Sequence, residues 1–260
     1  MTKVNILGVG ISRTSRPEVL GQFDRYLKDG RFHYVFASNV HTVMTSQADE
    51  EYRRIHNEAD IALPDGKPLA WAARLLDGGP VERITGRELM ALVCREGQKS
   101  GYSHFFYGGR ESVLKELCRR LKTACPDLKV AGCYSPPFRR LTAEEDARAV
   151  RMMNDCHPDI VWVGLGAPKQ EKWIGEHLGQ VRAPVMVAVG AAFDFLAGNA
   201  KQAPLWMQKA GLEWLFRLGT DPRRLWRRYV LNNPKFLYLL CCQKLALRSY
   251  RIPDGHSGRV

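Results

Sequence analysis

The 260-residue chain is 45% hydrophobic and 25% charged, the composition of a globular protein with enough chain for a large core. Its seven cysteines are scattered, odd in number and without a C-x-x-C, which argues for reduced cytosolic thiols and against a disulfide framework or a zinc site. No run of about 18 apolar residues occurs, and Met1 to Leu7 leads straight into a strand-like segment without a signal-peptide pattern, so neither secretion nor a membrane-spanning helix is expected.

The formal charge of +12 is unevenly placed. Residues 201–260 hold 12 Lys/Arg and three acids, a net +9, which leaves +3 for the other 200 residues. The chain is therefore a nearly balanced body with a basic C-terminal segment that calls for an acidic partner or a solvated role.

Val4–Val9 reads as a first strand, and Ser15 and Pro17 open a helix to about Lys28. Gly8-Val9-Gly10 begins like a dinucleotide fingerprint, but Arg13 stands where the third glycine belongs, and no phosphate-loop motif occurs anywhere. Phe32–Ala37 is the next strand. Ser38-Asn39 ends it, and helical pattern runs from Val40 to about Asn57. Asn39 is either an N-cap or a cleft residue at a strand end. Asp60–Leu63 is a short buried strand and Pro68–Leu76 a helix, so Asp65 and Gly66 lie on a strand-to-helix turn. Asp65 there either caps the helix or acts on a ligand.

Glu82-Arg83-Ile84-Thr85-Gly86 precedes a helix over about Arg87–Gln98, and Arg83 reads as a phosphate ligand or as one half of a surface salt bridge. His104–Tyr107 is a strand ending on Gly108-Gly109, followed by a helix over Glu111–Ala124. Lys129–Cys133 is a strand, and Thr142-Ala143-Glu144-Glu145 is a capping-box signal for a helix to about Asp155. Asp159–Gly164 is a buried strand that enters the loop Leu165–Glu171. Pro184–Gly190 is a last strand, entering Ala191–Gly198. Gln170 is either a ligand contact or a residue that bonds backbone. Asp194, between two phenylalanines, reads as a buried helix cap. The seven histidines show no metal-ligand spacing, and Trp162 and Trp173 read as core.

Apolar runs alternate with helical patterns throughout, the signature of a mostly parallel sheet with helices on both faces. Polar, glycine-rich points recur at the strand ends, where α/β proteins bind ligands. Beyond Gly198 the texture changes. Pro204–Phe216 reads as an amphipathic helix, 217–222 as a break, and Arg223–Val230 and Pro234–Tyr250 as basic helices with aromatics. The stripe Leu225, Trp226, Tyr229, Phe236, Leu237, Leu240 and Cys241, mixed with arginines, suits either an interfacial helix or a surface helix packed on the body. Gly255, Ser257 and Gly258 mark about 251–260 as a disordered end.

Five ordered stretches resemble the WecG/TagA/CpsF family of bacterial glycosyltransferases: Leu63–Gly66, Glu82–Gly86, Val163–Trp173, Phe193–Gly198 and Ala203–Trp214. The resemblance covers about Val4 to Val230. It implies an α/β, Rossmann-like fold of the glycosyltransferase-E type over residues 1–200, with a basic helical appendage over 201–260 that serves membrane association and completes the active site. It implies a metal-independent, inverting transferase without cofactor. Such an enzyme moves a sugar (N-acetylmannosamine, its uronic acid or another hexose) from a UDP-sugar to a polyprenyl-diphosphate-linked glycan. It would work in cell-surface polysaccharide synthesis, peripheral on the inner face of the bacterial membrane. Onto this sequence it carries Asp65 as catalytic base, Asn39 in the cleft, Gln170 on the nucleotide, Arg83 as the motif arginine, and Arg217, Arg224 and Arg227 or Arg228 in the appendage. Gly108, Gly164, Gly166, Pro168, Lys169 and Glu171 complete the expected donor site. Ala37 stands where the family has Thr and Gln202 where it has Arg, which suggests a subgroup with another donor or acceptor.

The chemistry is coherent by itself. Inversion needs a base for the acceptor hydroxyl, which Asp65 supplies. No Asp-x-Asp is present to hold a metal, so the leaving diphosphate falls to arginines and helix N-termini. The alternatives are a nucleic-acid-binding protein using the basic segment and a dinucleotide-dependent oxidoreductase. The first lacks a known module, and no nucleic-acid partner is expected. An anionic membrane surface is the expected partner of the appendage. A homo-oligomer is compatible with the sequence, which does not fix an oligomeric state.

Overall fold

The structure, a computed structural model, describes residues 1–252 apart from the side chain of Arg224. Of the C-terminal stretch expected to be disordered, 253–260 lie outside the described residues.

The strand expected over Val4–Val9 is two strands, β1 (Lys3–Ile6) and β2 (Val9–Ser12), paired antiparallel. Leu7 (φ 52°) and Gly8 (φ 81°) form the two-residue turn between them. The turn is hidden in the sequence because Leu7 is itself fully buried and extends the apolar run. Helix α1 (Arg16–Tyr26) and strand β3 (His33–Ser38) fall where expected. The helix expected over Val40–Asn57 is split into α2 (Val40–Ser46) and α3 (Glu50–Glu58), because Asp49 caps the second by accepting from the Tyr52 N–H. Then β4 (Ile61–Pro64), α4 (Lys67–Asp77), α5 (Gly86–Ser100), β5 (Ser103–Gly108), α6 (Glu111–Ala124), β6 (Lys129–Tyr134), α7 (Ala143–Asp155) and β7 (Ile160–Gly164) follow the expected alternation. Thr142 and Glu145 form the expected capping box. Helix α8 (Lys169–His177) begins inside the stretch that reads as a loop, so Gln170 and Glu171 stand on a helical first turn. After β8 (Val185–Ala188), α9 (Ala192–Leu196) carries Asp194 as an exposed interior residue. The cap position is Ala191, so the reading of Asp194 as a buried cap does not hold.

The helix expected over Pro204–Phe216 is two pieces, α10 (Leu205–Lys209) and α11 (Glu213–Thr220), separated at Gly211, whose φ of 73° no helix accommodates. Helix α12 (Pro222–Trp226) runs through a π-helical turn (Arg227–Leu231) into α13 (Asn232–Lys244). Pro234 explains the turn: it has no N–H to donate and its ring crowds the Val230 carbonyl four residues back.

The chain forms two compact units. The first comprises Met1–Ser15, Ala37–Ile84 and the chain from Gln202 onward. Its core joins hairpin residues Val4, Ile6, Val9 and Ile11 to Val43, Leu69, Ala73, Phe236 and Leu240. Gln243 bolts α13 to the hairpin, accepting from the Leu7 N–H (2.9 Å) and donating to the Asn5 carbonyl (2.8 Å). The apolar stripe of the basic helices is therefore divided. Leu225, Phe236 and Leu240 are buried, whereas Trp226 and Leu237 face outward. The surface-helix reading thus holds for the buried residues of the stripe.

The second unit comprises Arg16–Phe36 and Thr85–Lys201. Its strands pair in parallel, β3 with β8, β8 with β7, β7 with β5 and β5 with β6. Strand β3 passes from this unit into the first, and the six-stranded order is β4-β3-β8-β7-β5-β6, flanked by helices. The central strands are apolar on both faces, as sandwiching helices require: Phe105, Phe106, Val161, Trp162, Met186 and Val187 are essentially fully buried. Trp162 donates from Nε1 to His104 Nδ1 (3.0 Å), and burial pushes His104 down to about 4, so it stays neutral.

Candidate functional site

In the first unit a narrow cavity of about 90 Å³ opens at the carboxyl ends of β3 and β4. Asn39, His41, Asp65, Lys67, Glu213, Trp214, Arg217, Arg228 and Tyr229 line it, among others. The Asp65 N–H donates to the Ser38 carbonyl (2.6 Å), which fixes the turn on which the carboxylate stands. Ser38 is held in turn: its Oγ bonds His56 Nε2 (2.9 Å), and burial with Lys3 nearby pushes His56 down to about 3. The cap of α4 is Gly66, at φ 134°, with no side-chain cap bond. The cap position itself is thus taken by a glycine, one residue beyond Asp65, and half-buried Asp65 lines the cavity.

Asn39 fills both of the roles weighed for it. It caps α2, its Oδ1 accepting from the His41 N–H (3.0 Å) and the Thr42 N–H (3.3 Å), and it also lines the cavity. The same Oδ1 accepts from Arg228 Nη2 (3.2 Å). That contact assigns the appendage arginines. Arg217 and Arg228 reach the cavity, whereas Arg227 is exposed, with its guanidinium 5.4 Å from the Trp226 ring. The side chain of Arg224 lies outside the described residues. Arg83 is not a surface residue: its side chain is only 12% exposed and its Nη1 lies 3.9 Å from Glu213 Oε2, behind the wall that Glu213 forms. Ala37 is buried, and Gln202 is exposed.

In the second unit a larger cavity of about 660 Å³ lies at the carboxyl ends of β5, β6 and β7. That volume is in the usual range for cofactor-sized ligands. Gly164 and Lys169 line it, with Phe138, Arg139, Arg140, Lys172, Trp173 and His177. Trp162 and Trp173 are both buried as expected of core, and Trp173 also lines this cavity. Tyr107 packs at a tilt against Trp173 (4.5 Å), and Trp173 stacks on His177 (4.3 Å). Asp146 ties the stack, its Oδ2 meeting His177 Nε2 at 2.7 Å and its Oδ1 accepting from Trp173 Nε1 at 3.3 Å. Burial, then Asp146 and Tyr134, push the Tyr107 phenol up, so it stays protonated.

The remaining expected donor-site residues shape this region from behind. Gly108, at φ 115°, lies so close to β7 that a Cβ would meet the Gly164 backbone at 2.7 Å. Gln170 is 2% exposed, and its Oε1 accepts from the Gly166 N–H (3.1 Å) and the Gly190 N–H (3.0 Å), tying together the loops after β7 and β8. Its Nε2 donates to Glu171 Oε1 (2.9 Å), and Glu171 is fully buried. Both side chains are buried behind the cavity rather than among the residues that line it. Pro168 precedes α8 and Gly166 remains half-buried on the loop. The Pro136–Arg140 run was missed in the sequence, although the rule that strand ends carry ligands applies equally to the end of β6. His41 and Tyr229 had no local signal. Among the described residues no group of three or more His, Cys, Asp or Glu is placed to hold a metal ion, and no helix is long and apolar enough to cross a membrane.

Comparison with known proteins places this geometry. Residues 4–250 match the model of the Glycosyl transferase WecG/TagA/CpsF family. The N-acetylglucosaminyldiphosphoundecaprenol N-acetyl-beta-D-mannosaminyltransferase of Bacillus subtilis (strain 168) is 33% identical over 191 residues, 72% of this chain and 71% of the relative. The protein of the same name from Bacillus spizizenii is 31% identical over 216 residues, 82% and 80% of the two chains. That from Staphylococcus aureus (strain NCTC 8325 / PS 47) is 26% identical over 248 residues, 95% of each.

Proposed function

Since the chain belongs to the WecG/TagA/CpsF glycosyltransferase family, we propose that it transfers a hexose, with inversion, from a UDP-sugar to a polyprenyl-diphosphate-linked N-acetylglucosamine. The observation that carries the reading is Asp65: a carboxylate residue on a strand-end turn fixed by its N–H bond to the Ser38 carbonyl, lining a cavity that Arg217 and Arg228 also line. Its carboxylate takes the proton of the acceptor hydroxyl as that oxygen bonds to the sugar C1. The C1–O bond to the diphosphate breaks, and its electron pair leaves with UDP. Arginines and lysines, rather than an Asp-x-Asp metal, compensate the diphosphate charge. Taken by itself, the cavity of the second unit has an aromatic wall and the cations Arg139, Arg140, Lys169 and Lys172, a lining suited to a phosphorylated ligand. Gln170 and Gly108 hold the loops that form it.

The acceptor is lipid-borne, so the enzyme works at the inner face of the membrane. The outward faces of the appendage support this. Leu205, Trp206, Trp226, Leu237 and Tyr238 are exposed beside a strongly basic segment, which suits an anionic headgroup layer. The names of the relatives make UDP-N-acetylmannosamine the first donor to try.

The test is a UDP-release and transfer assay with a panel of UDP-sugars and a short-chain lipid-diphosphate N-acetylglucosamine, with and without EDTA. EDTA-resistant transfer from one donor, lost in Asp65→Asn, is the expected result. Transfer abolished by EDTA overturns the metal-free step, and an active Asp65→Asn overturns the base.

A further inference from the structure

We propose that His41 is a substrate-binding residue: a neutral imidazole that donates a hydrogen bond from Nε2 to an oxygen of a pyranose held in the cavity of the first unit. The proposal rests on the glycosyl-transfer reading above and adds a contact to it.

The ring's two nitrogens are in different situations. Asn232 Nδ2 lies 3.4 Å from His41 Nδ1. An amide nitrogen can only donate, so Nδ1 is the acceptor of that pair and the ring proton sits on Nε2. Among the described residues Nε2 has no hydrogen-bond partner and is not sealed from solvent. It belongs to a side chain that lines the cavity together with Asp65 and Asn39. Burial, reinforced by the Arg228 charge, pushes His41 down to about 4, so at neutral pH the ring offers one N–H and no charge.

The neighbours make that donor useful. The Asn39 carbonyl oxygen is consumed by two backbone N–H groups and by Arg228. What Asn39 has left is its amide N–H₂, also a donor. The wall around residues 39–41 is therefore rich in neutral donors, while Asp65 supplies an acceptor. A sugar has both needs, with hydroxyl and acetamido oxygens for the donors and a hydroxyl proton for the carboxylate. Water-sized or purely cationic ligands would not use this division.

Isosteres separate contact from scaffolding. In His41→Gln the side-chain amide nitrogen takes the place of Nε2 and keeps the donor. In His41→Asn the side-chain oxygen takes the place of Nδ1, keeping the link to Asn232 but losing the donor. With both variants assayed beside the native enzyme, we expect His41→Asn to raise one KM by about 3- to 10-fold, the value of one neutral hydrogen bond. The kcat should change little, and His41→Gln should remain within about twofold of native. The substrate whose KM moves, UDP-sugar or lipid-linked sugar, tells which pyranose His41 holds. The reverse order of the two variants, equal impairment of both, or a loss confined to kcat overturns the proposal. Nitrogen-15 NMR of the histidine rings at pH 7 tests it independently of turnover. A ring protonated on Nε2 and bare on Nδ1 is expected, and the opposite tautomer or an imidazolium overturns it. An inactive native enzyme would count against the transfer reading alone, because the tautomer measurement stands without it.

Discussion

The two units build their candidate sites from different materials. In the first, the cavity is made of side chains brought from three distant stretches: Asn39 and His41, Asp65 and Lys67, and Glu213 to Tyr229. In the second, much of the cavity is shaped by backbone, with Gly108 pressed against Gly164 and Gln170 holding two loop N–H groups. A side-chain site can lose one function and keep its fold. A backbone site loses its shape and its stability together.

The largest expected effect tests the first half of that contrast. Asp65→Asn should lower transfer by about 10²–10⁴-fold. Its urea midpoint should stay near native, because asparagine is isosteric and keeps the backbone bond to Ser38 that fixes the turn. Gly108→Ala should do the reverse. Its methyl group would meet backbone at 2.7 Å and a φ of 115° disfavours it, so we expect a loss of about 2–4 kcal/mol in urea unfolding, together with weaker UDP binding by calorimetry. A stable Gly108→Ala that binds UDP normally would dissolve the contrast.

Acid probes both units at once, because each holds a neutral histidine at 0% exposure: His56 in the first, pushed to about 3, and His104 in the second, pushed to about 4; half-buried His41 adds to the first. Unfolded histidine takes its proton near 6.5, so the unfolded state binds protons first as pH falls. Stability is full above about pH 7 and declines toward pH 4, by about 2 kcal/mol per histidine at pH 5. Urea unfolding at pH 7 and pH 5 measures it, and His56→Gln should flatten part of the slope. The smallest effect belongs to the surface. Trp206→Ser with Leu237→Ser should reduce cosedimentation with anionic vesicles several-fold and leave transfer to a soluble short-chain acceptor near native, since both side chains face outward.

The parallel sheet was legible because buried strands are apolar runs and β3 to β8 each carry one. The hairpin turn was not, because buried Leu7 interrupts nothing in the hydrophobic pattern. Asp49-Glu50-Glu51 held a readable cap that a longer periodic stretch obscured. At the site, Asp65 and Asn39 were legible from their place at strand ends. The choice of Arg228 over Arg227 was not, since it depends on the phase of a helix interrupted by a π-turn. That Gln170 bonds backbone was one of its two readings, but its partner Gly190, twenty residues on, had no signal in the sequence.

The π-turn has a consequence for how such chains can diverge. It holds one residue more than an α-helical turn while keeping the flanking faces in phase. Arg228 can therefore meet Asn39 while Phe236 stays in the core. With Pro234 retained, loss of one codon in the turn would only set the proline ring against another carbonyl four residues back, so the turn can close to α-helix only if Pro234 is lost as well; a gain or loss elsewhere between Arg228 and Phe236 would turn the arginine about 100° away. Chain length here and the proline are thus coupled: neither can change alone without moving Arg228 relative to the cavity that Asp65 lines.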